Sequence, residues 1–101
     1  MILAPELGDR KVVIVTGASQ GIGAGIAKAF RERGYGVVAA ARSIAPSTDP
    51  GTMAVPGDIA DPDTADHIVE EALRRFGRID TLINNAGIYI GKTFTDRKSV
   101  V

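Results

Sequence analysis

The sequence predicts an α/β fold, the N-terminal part of a doubly wound parallel sheet with about four strands and helices on both faces. Strand and helix signals follow the order β-α-β-β-α-β, which requires crossover helices between parallel strands. The first strand contains an uninterrupted β-branched run at residues 12–15, which is typical of a strand buried on both faces. The chain has 101 residues, which is enough for one domain and too few for two.

The first helix is predicted from apolar spacing after a glycine-rich turn. A strand over residues 11–16 leads into this turn at residues 17–23, and the helix that follows ends at Gly34, a typical C-terminal cap. The apolar positions at helical spacing are Ile22, Ile26, Ala29 and Phe30. We therefore expect these four side chains to share the buried face of the helix.

The second helix has the clearest boundary signals. It follows a strand at residues 36–41, a turn-rich loop at residues 43–52 and a short strand at residues 52–55. Asp61 is a typical N-cap, and Gly77 ends the helix. The residues that form its apolar stripe are Ala65, Ile68, Val69, Ala72, Leu73 and Phe76.

Three turns follow the carboxyl ends of predicted strands, at residues 17–23, 42–43 and 84–87. The last of them continues a fourth strand at residues 81–83. In parallel sheets of this kind, ligands bind beyond the carboxyl ends of the strands. The sequence therefore predicts a binding site at this edge of the sheet.

Composition narrows the classes of partner. Twelve basic and twelve acidic residues give a net charge of zero, so we expect no nucleic-acid and no membrane partner. The absence of cysteine excludes a thiolate metal site, a disulfide and a cysteine nucleophile, and we interpret the single histidine, His67, as a solvated helix residue. We predict no metal site. Residues 1–10 lack the order of a signal peptide and no apolar run is long enough to cross a bilayer, so we expect a cytoplasmic location.

The glycine turn has a physical use in phosphate binding. Gly17, Gly21 and Gly23 would allow a tight turn, close approach of the backbone to a phosphate, and close packing of helix on strand. The following helix start offers N–H groups and a positive dipole end to a pyrophosphate, and Ser19 adds a hydroxyl donor. The alternative is a turn that serves packing alone.

Three motifs resemble those of the short-chain dehydrogenase/reductase family. Residues 16–23 match its TGxxxGxG signature, residues 84–87 match its NNAG motif, and residues 57–59 (Gly-Asp-Ile) resemble the acidic position after its third strand. The resemblance covers residues 11–95 and implies a Rossmann-type dinucleotide-binding domain, present in part. Residues 1–10 would then be an N-terminal extension and residues 96–101 an atypical tail. We hypothesise that this tail is an artefact of sequencing-adapter read-through from Arg97 onward, with Asp96 assigned to neither part, the alternatives being a natural truncation or an unusual tail.

The resemblance also implies roles for single residues. Those expected around the adenosine ribose and the pyrophosphate are Gly17, Ser19, Gln20, Ile22 and Gly23. Asp58 should accept a hydrogen bond from the adenine amino group, beside the backbone of Ile59. The residues expected along the cofactor are Asn85, Ala86 and Gly87. The alternatives are a local turn or cap role for Asp58, and satisfaction of strand-end backbone groups by Asn84 and Asn85.

Arg42 bears on the choice of cofactor. The second strand ends in Ala41 and Arg42, with no acidic residue to bond the ribose hydroxyls of NAD. An arginine there accommodates the 2′-phosphate of NADP. We predict NADP, with NAD as the alternative, because Gln20 stands where many NADP-preferring relatives carry a base. A solvated surface arginine is the other interpretation.

The residues that perform this family's chemistry are missing from the sequence. The family uses a tyrosine as general acid/base, a lysine four residues later, a serine and a further asparagine, whereas Tyr35 and Tyr89 are followed at that distance by Ala39 and Thr93. We assign no catalytic residue. The resemblance implies the cofactor-binding part of an NAD(P)-dependent oxidoreductase that interconverts a small-molecule carbonyl and an alcohol by hydride transfer, in a homo-oligomeric parent enzyme. The alternative is a non-catalytic dinucleotide-binding or redox-sensing module.

The same truncation affects the sheet. Without its expected neighbour, the fourth strand would leave an apolar edge open, so we expect a marginally stable or aggregation-prone chain.

Overall fold

A computed structural model describes residues 10–86 and 99–100. Over these ranges the chain forms a parallel sheet with two helices. The elements in chain order are β1 (Val12–Thr16), α1 (Gly21–Glu32), β2 (Gly36–Ala41), β3 (Thr52–Pro56), α2 (Pro62–Phe76), β4 (Thr81–Asn84) and β5 (Ser99–Val100). The strands lie side by side in the order β3-β2-β1-β4-β5, and every neighbouring pair is parallel. The predicted fold class and the predicted element order through β4 are confirmed.

The central strand β1 separates two apolar cores. Because successive side chains of a strand point to opposite faces, Val12 and Ile14 enter the core under α2, whereas Val13 and Val15 enter the core under α1. All five β1 residues are buried. The β-branched run therefore marks a strand covered on both faces, as predicted.

The boundaries of α2 agree with its sequence signals. The Asp61 carboxylate accepts a hydrogen bond from the backbone N–H of Asp63 at 3.0 Å, and Gly77 ends the helix with a φ of 80°. Five residues of the predicted stripe are buried, and the sixth, Leu73, is 40% exposed. The stripe is thus one residue narrower than predicted.

The start of α1 differs from the prediction. Ile26 and Phe30 pack against the sheet, but Ile22 is 76% exposed and Ala29 is exposed as well, so the expectation of four buried positions was wrong for these two. Ile22 is exposed because of its position along the axis of α1. The first turn of α1 lies at the carboxyl edge of the sheet, where Gly23 is the buried residue of the helix.

The loop between β2 and β3 is held by a single carboxylate. Asp49 accepts hydrogen bonds from Arg31 Nε at 2.7 Å, from the Gly51 N–H at 3.0 Å and from Thr52 Oγ1 at 3.0 Å. Hydrogen bonding from Arg31, assisted by that from Gly51, lowers the pKa of Asp49 from 3.8 to about 2. These contacts fix the loop that leads into β3 against the C-terminal half of α1.

The outer edge of β4 was predicted to be open, but a further strand pairs with part of it. Thr81 pairs with Ser99, and Leu82 pairs with Val100, in a parallel register. The expectation of an unpartnered β4 was wrong at these two positions, because the backbone of the predicted tail supplies the short strand β5. No helix in the described ranges is long and apolar enough to span a membrane.

Candidate functional site

The three predicted turns meet at the carboxyl edge of the sheet, around a cleft of about 250 Å³. Six of the residues predicted for the site line this cleft: Gly17, Ser19, Arg42, Asp58, Ile59 and Ala86. Three further lining residues are Ala40, Ala41 and Gly57. A separate cleft of about 390 Å³ beside the loop at residues 46–50 contains none of the predicted residues. Side chains from turns far apart in the sequence are therefore collected in one place.

Two glycines of the turn allow its tight path. Gly17 has a φ of 64° and Gly21 a φ of 62°, the left-handed region in which other residues are strained. Gly23 serves packing: a Cβ there would overlap the carbonyl oxygen of Gly17 and lie 2.7 Å from Asn85 Nδ2. The absence of side chains thus brings the start of α1 against both the β1 turn and the β4 turn.

The start of α1 is suited to an anion. Gln20 is the N-cap residue, its side chain makes no capping hydrogen bond, and the first turn contains no acidic residue. The first backbone bond of the helix runs from the Ala24 N–H to Gln20 O at 3.4 Å. The amides before Ala24 therefore precede the helical hydrogen-bond ladder, and the positive end of the helix dipole adds to their attraction for negative charge. Ser19, Gln20 and Ile22 are all exposed beside these amides.

A buried threonine joins the first and last turns of the site. Thr16 Oγ1 donates a hydrogen bond to Asn84 Oδ1 at 3.0 Å and accepts one from the Ala86 N–H at 3.2 Å. Asn85 Nδ2 donates to the carbonyl oxygen of Gly17 at 3.1 Å. Asn85 therefore satisfies a strand-end backbone group, as the alternative interpretation had it, whereas Asn84 accepts from a side-chain hydroxyl. The bridging role of Thr16 was not predicted, although a polar residue at the end of an apolar strand is a usable signal for it.

The turn after β2 and the turn after β3 meet through an ion pair. Arg42 Nη2 lies 3.4 Å from Asp58 Oδ2, with the two side chains 81% and 46% exposed. Asp58 Oδ1 accepts a hydrogen bond from the Ala60 N–H at 3.0 Å, which is the local turn contact considered as an alternative. Ile59 is buried next to Asp58. Arg42 is therefore not an isolated surface cation, since its guanidinium has a carboxylate partner at the cleft.

The remaining predicted residues fall into three groups. Gln20, Ile22 and Gly23 belong to the start of α1 and Asn85 to the β4 turn, and none of these four lines the cleft itself. Gly87 lies outside the described residues. Tyr35 packs edge-on against Phe30, with ring centroids 4.8 Å apart, and does not line the cleft.

The residues present fit a dinucleotide. An uncapped helix start suits a pyrophosphate, the glycine turn leaves room for close approach, and a cleft bounded by Arg42 and Asp58 offers one cationic and one accepting group. The site would hold the cofactor mainly through backbone amides and through a few polar side chains at its rim.

Comparison with known proteins places this geometry in a family. L-fucose dehydrogenase from Bos taurus is 45% identical over 84 residues, which cover 78% of this chain and 31% of that protein. The structure of a short-chain dehydrogenase from Bacillus anthracis superposes with a TM-score of 0.67 at 37% identity, covering 74% of this chain and 34% of the other. The structure of 3-ketoacyl-(acyl-carrier-protein) reductase from Brucella melitensis complexed with NADH gives a TM-score of 0.66 at 34% identity, covering 77% and 34%.

The chain spans about a third of the length of these relatives. The family model described as short chain dehydrogenase matches residues 11–100, nearly the whole sequence. A match of this extent, on a sheet whose carboxyl edge collects the family's motif residues, shows that the chain belongs to the short-chain dehydrogenase/reductase family.

Proposed function

We propose that this chain is the cofactor-binding part of an NAD(P)-dependent oxidoreductase that interconverts a carbonyl and an alcohol, and that it prefers NADP. One observation carries the proposal: the glycine turn and the Arg42–Asp58 pair border one cleft at the carboxyl edge of the sheet, and the uncapped start of α1 directly follows that turn. Ligands of doubly wound sheets bind at this edge. The dehydrogenase names of the relatives do not favour the alternative of a non-catalytic module.

The chain's own residues would hold the two ends of the adenosine diphosphate portion. The amides at the start of α1 and the Ser19 hydroxyl would bind the pyrophosphate, since both are donors near a positive helix dipole. Asp58 would accept from the adenine amino group. The nicotinamide of the bound cofactor supplies the hydride, and the protein's part within this chain is to bind and orient.

Arg42 supports the preference for NADP. Its guanidinium is 81% exposed at the rim of the cleft, directly after β2, where an acidic residue would instead bond the ribose hydroxyls of NAD. A guanidinium presents several donors in a planar fork that matches phosphate geometry. The Arg42 guanidinium would therefore bind the 2′-phosphate of NADP, a group that NAD lacks.

Fluorescence titration of the chain with NADPH and with NADH tests the proposal. We expect tighter binding of NADPH, and we expect Arg42→Gln to weaken NADPH about tenfold, the effect of losing a charge-assisted hydrogen bond of about 1.5 kcal/mol, with NADH nearly unaffected. Arg33→Gln is the matched control, because Arg33 is an exposed cation at the opposite end of α1. It should leave both affinities unchanged.

The outcomes separate the parts of the proposal. If neither dinucleotide binds the folded chain, the cofactor-binding role is wrong. If both bind and Arg42→Gln affects them equally, the role stands and the NADP preference is wrong.

For the whole protein we propose a homo-oligomer in the cytoplasm that acts on a small-molecule carbonyl or alcohol. The absence of cysteine from the 101 residues is compatible with a reducing compartment. Size-exclusion chromatography of the complete gene product, followed by assays with NADPH on a panel of ketones, tests the assembly and the substrate class. A monomer contradicts the first, and inactivity on every ketone contradicts the second.

A further inference from the structure

The Arg42–Asp58 pair places two proposed cofactor contacts in competition with each other. Arg42 Nη2 and Asp58 Oδ2 are 3.4 Å apart, while the other oxygen, Oδ1, is held by the Ala60 N–H. The local turn thus fixes the carboxylate, and only Oδ2 is turned to the guanidinium. The same guanidinium is the group proposed to bind a 2′-phosphate.

We infer that Asp58 sets how strongly the chain discriminates NADP from NAD, by competing with the 2′-phosphate for Arg42. The inference rests on the proposed function. With NADH the pair stays in place. With NADPH the guanidinium exchanges the carboxylate for the phosphate, so the loss of the pair offsets part of the gain from the new contact. Asp58 therefore lowers the preference for NADP that Arg42 alone would give.

The exposure of the pair makes this exchange feasible. Arg42 is 81% exposed and the Asp58 side chain 46% exposed, so water screens their attraction. A dianionic phosphate carries more charge than the carboxylate and offers more acceptor oxygens to the guanidinium fork. An exposed pair is thus weak enough to be broken by the ligand and strong enough to reduce the observed selectivity.

Asp58→Asn isolates the charge of this carboxylate. The single asparagine oxygen still accepts from the Ala60 N–H, whereas the amide nitrogen replaces Oδ2, so the attraction for Arg42 is lost and the acceptor for the adenine amino group with it. Any change in adenine binding affects NADPH and NADH alike. It therefore cancels in the ratio of their dissociation constants, Kd(NADH)/Kd(NADPH), which measures discrimination alone.

The experiment is a double-mutant cycle on that ratio, using the chain itself, D58N, R42Q and the double variant, with NADPH and NADH as probes. We expect D58N to raise the ratio about two- to fivefold, the equivalent of an exposed ion pair of about 0.5–1 kcal/mol. In the R42Q background D58N should leave the ratio unchanged, because no guanidinium is left to compete for. Glu70→Gln is the control for net charge, since Glu70 is an exposed carboxylate on α2 that does not line the cleft.

Three results overturn the inference while leaving cofactor binding intact. An unchanged ratio in D58N means that the pair has no influence on selectivity. A lower ratio means that Asp58 positions Arg42 for the phosphate rather than competing with it. An equal rise with and without Arg42 means simple repulsion between Asp58 and the phosphate. Binding of neither dinucleotide to any of the four proteins removes the proposed function, and this inference with it.

Discussion

Gly23 and Gly25 offer a matched pair of substitutions within one helix. Both lie in α1, two residues apart, and both have ordinary helical backbone. A Cβ at Gly23 would overlap the carbonyl oxygen of Gly17 and approach Asn85 Nδ2 to 2.7 Å, whereas a Cβ at Gly25 would have no atom within 4 Å. Gly23→Ala therefore perturbs the site, and Gly25→Ala perturbs only the helix.

The expected effects have opposite signs. Overpacking of this kind costs about 1–3 kcal/mol, and the backbone oxygen of Gly17 cannot move aside as a flexible side chain would. Alanine is a better helix former than glycine by about 0.8–1 kcal/mol, a gain that Gly25→Ala should show in full. For a chain of this size, each kcal/mol corresponds to about 4–8 °C in melting temperature.

Thermal unfolding followed by circular dichroism, together with NADPH titration, measures both consequences. We expect Gly23→Ala to lower the melting temperature and to lose NADPH binding, because displacement of Gly17 changes the turn around the cleft. Gly25→Ala should raise the melting temperature and bind NADPH as the unmodified chain does. Equal melting temperatures for the two variants, or full NADPH binding by Gly23→Ala, would refute the close packing on which the site is built.

Two further predictions concern residues that support the site. Thr16→Val should reduce the free energy of unfolding by about 1–3 kcal/mol, because the partly buried Ala86 N–H loses its acceptor, while Thr16→Ser keeps the hydroxyl and most of the stability. Urea unfolding of both variants checks this, and equal midpoints would count against the bridge. Asp49 has a pKa lowered to about 2 in the folded chain, so its stabilising effect is present above pH 3.8 and is lost as the pH falls towards 2. Asp49→Asn should therefore reduce the loss of unfolding free energy on the acid side, as measured by urea unfolding at several pH values. An unaltered dependence of the unfolding free energy on pH would contradict the role of the Arg31 contact.

Elements with strong local signals were predictable from the sequence. In α2 the cap at Asp61, the apolar stripe and the terminating Gly77 all act over a few residues, and the structure has each of them in place except for Leu73 in the stripe. The run in β1 likewise shows burial on both faces without any knowledge of its neighbours. Where the start or end of a helix or strand depends only on residues close by in the chain, it can be predicted from the sequence.

The errors arise where tertiary position overrides local pattern. Ile22 fits the apolar spacing of α1, yet it is 76% exposed because the helix begins beyond the end of the sheet. The pairing of β4 with β5 joins positions 18 residues apart, Thr81 with Ser99 for example, and periodicity carries no signal for it.

For the site, the sequence predicted which turns lie together but not which side chains contact each other. Motif positions indicated which turns would meet, and the structure brings Arg42 and Asp58 together across 16 residues of sequence. Their direct contact could not be predicted, because it depends on how β2 and β3 are aligned in the sheet. The side-chain bridge at Thr16 depends on the same kind of alignment, between β1 and β4.

The most direct test of the central claim is to map where NADPH binds. Backbone amide shifts of the ¹⁵N-labelled chain, recorded during titration with NADPH, report on every part of the fold at once. We predict that the shifts cluster at residues 17–23, at Arg42, at residues 57–60 and at Ala86, around the cleft at the carboxyl edge of the sheet. Shifts confined to the loop at residues 46–50, or no shifts in a folded chain, would contradict the account.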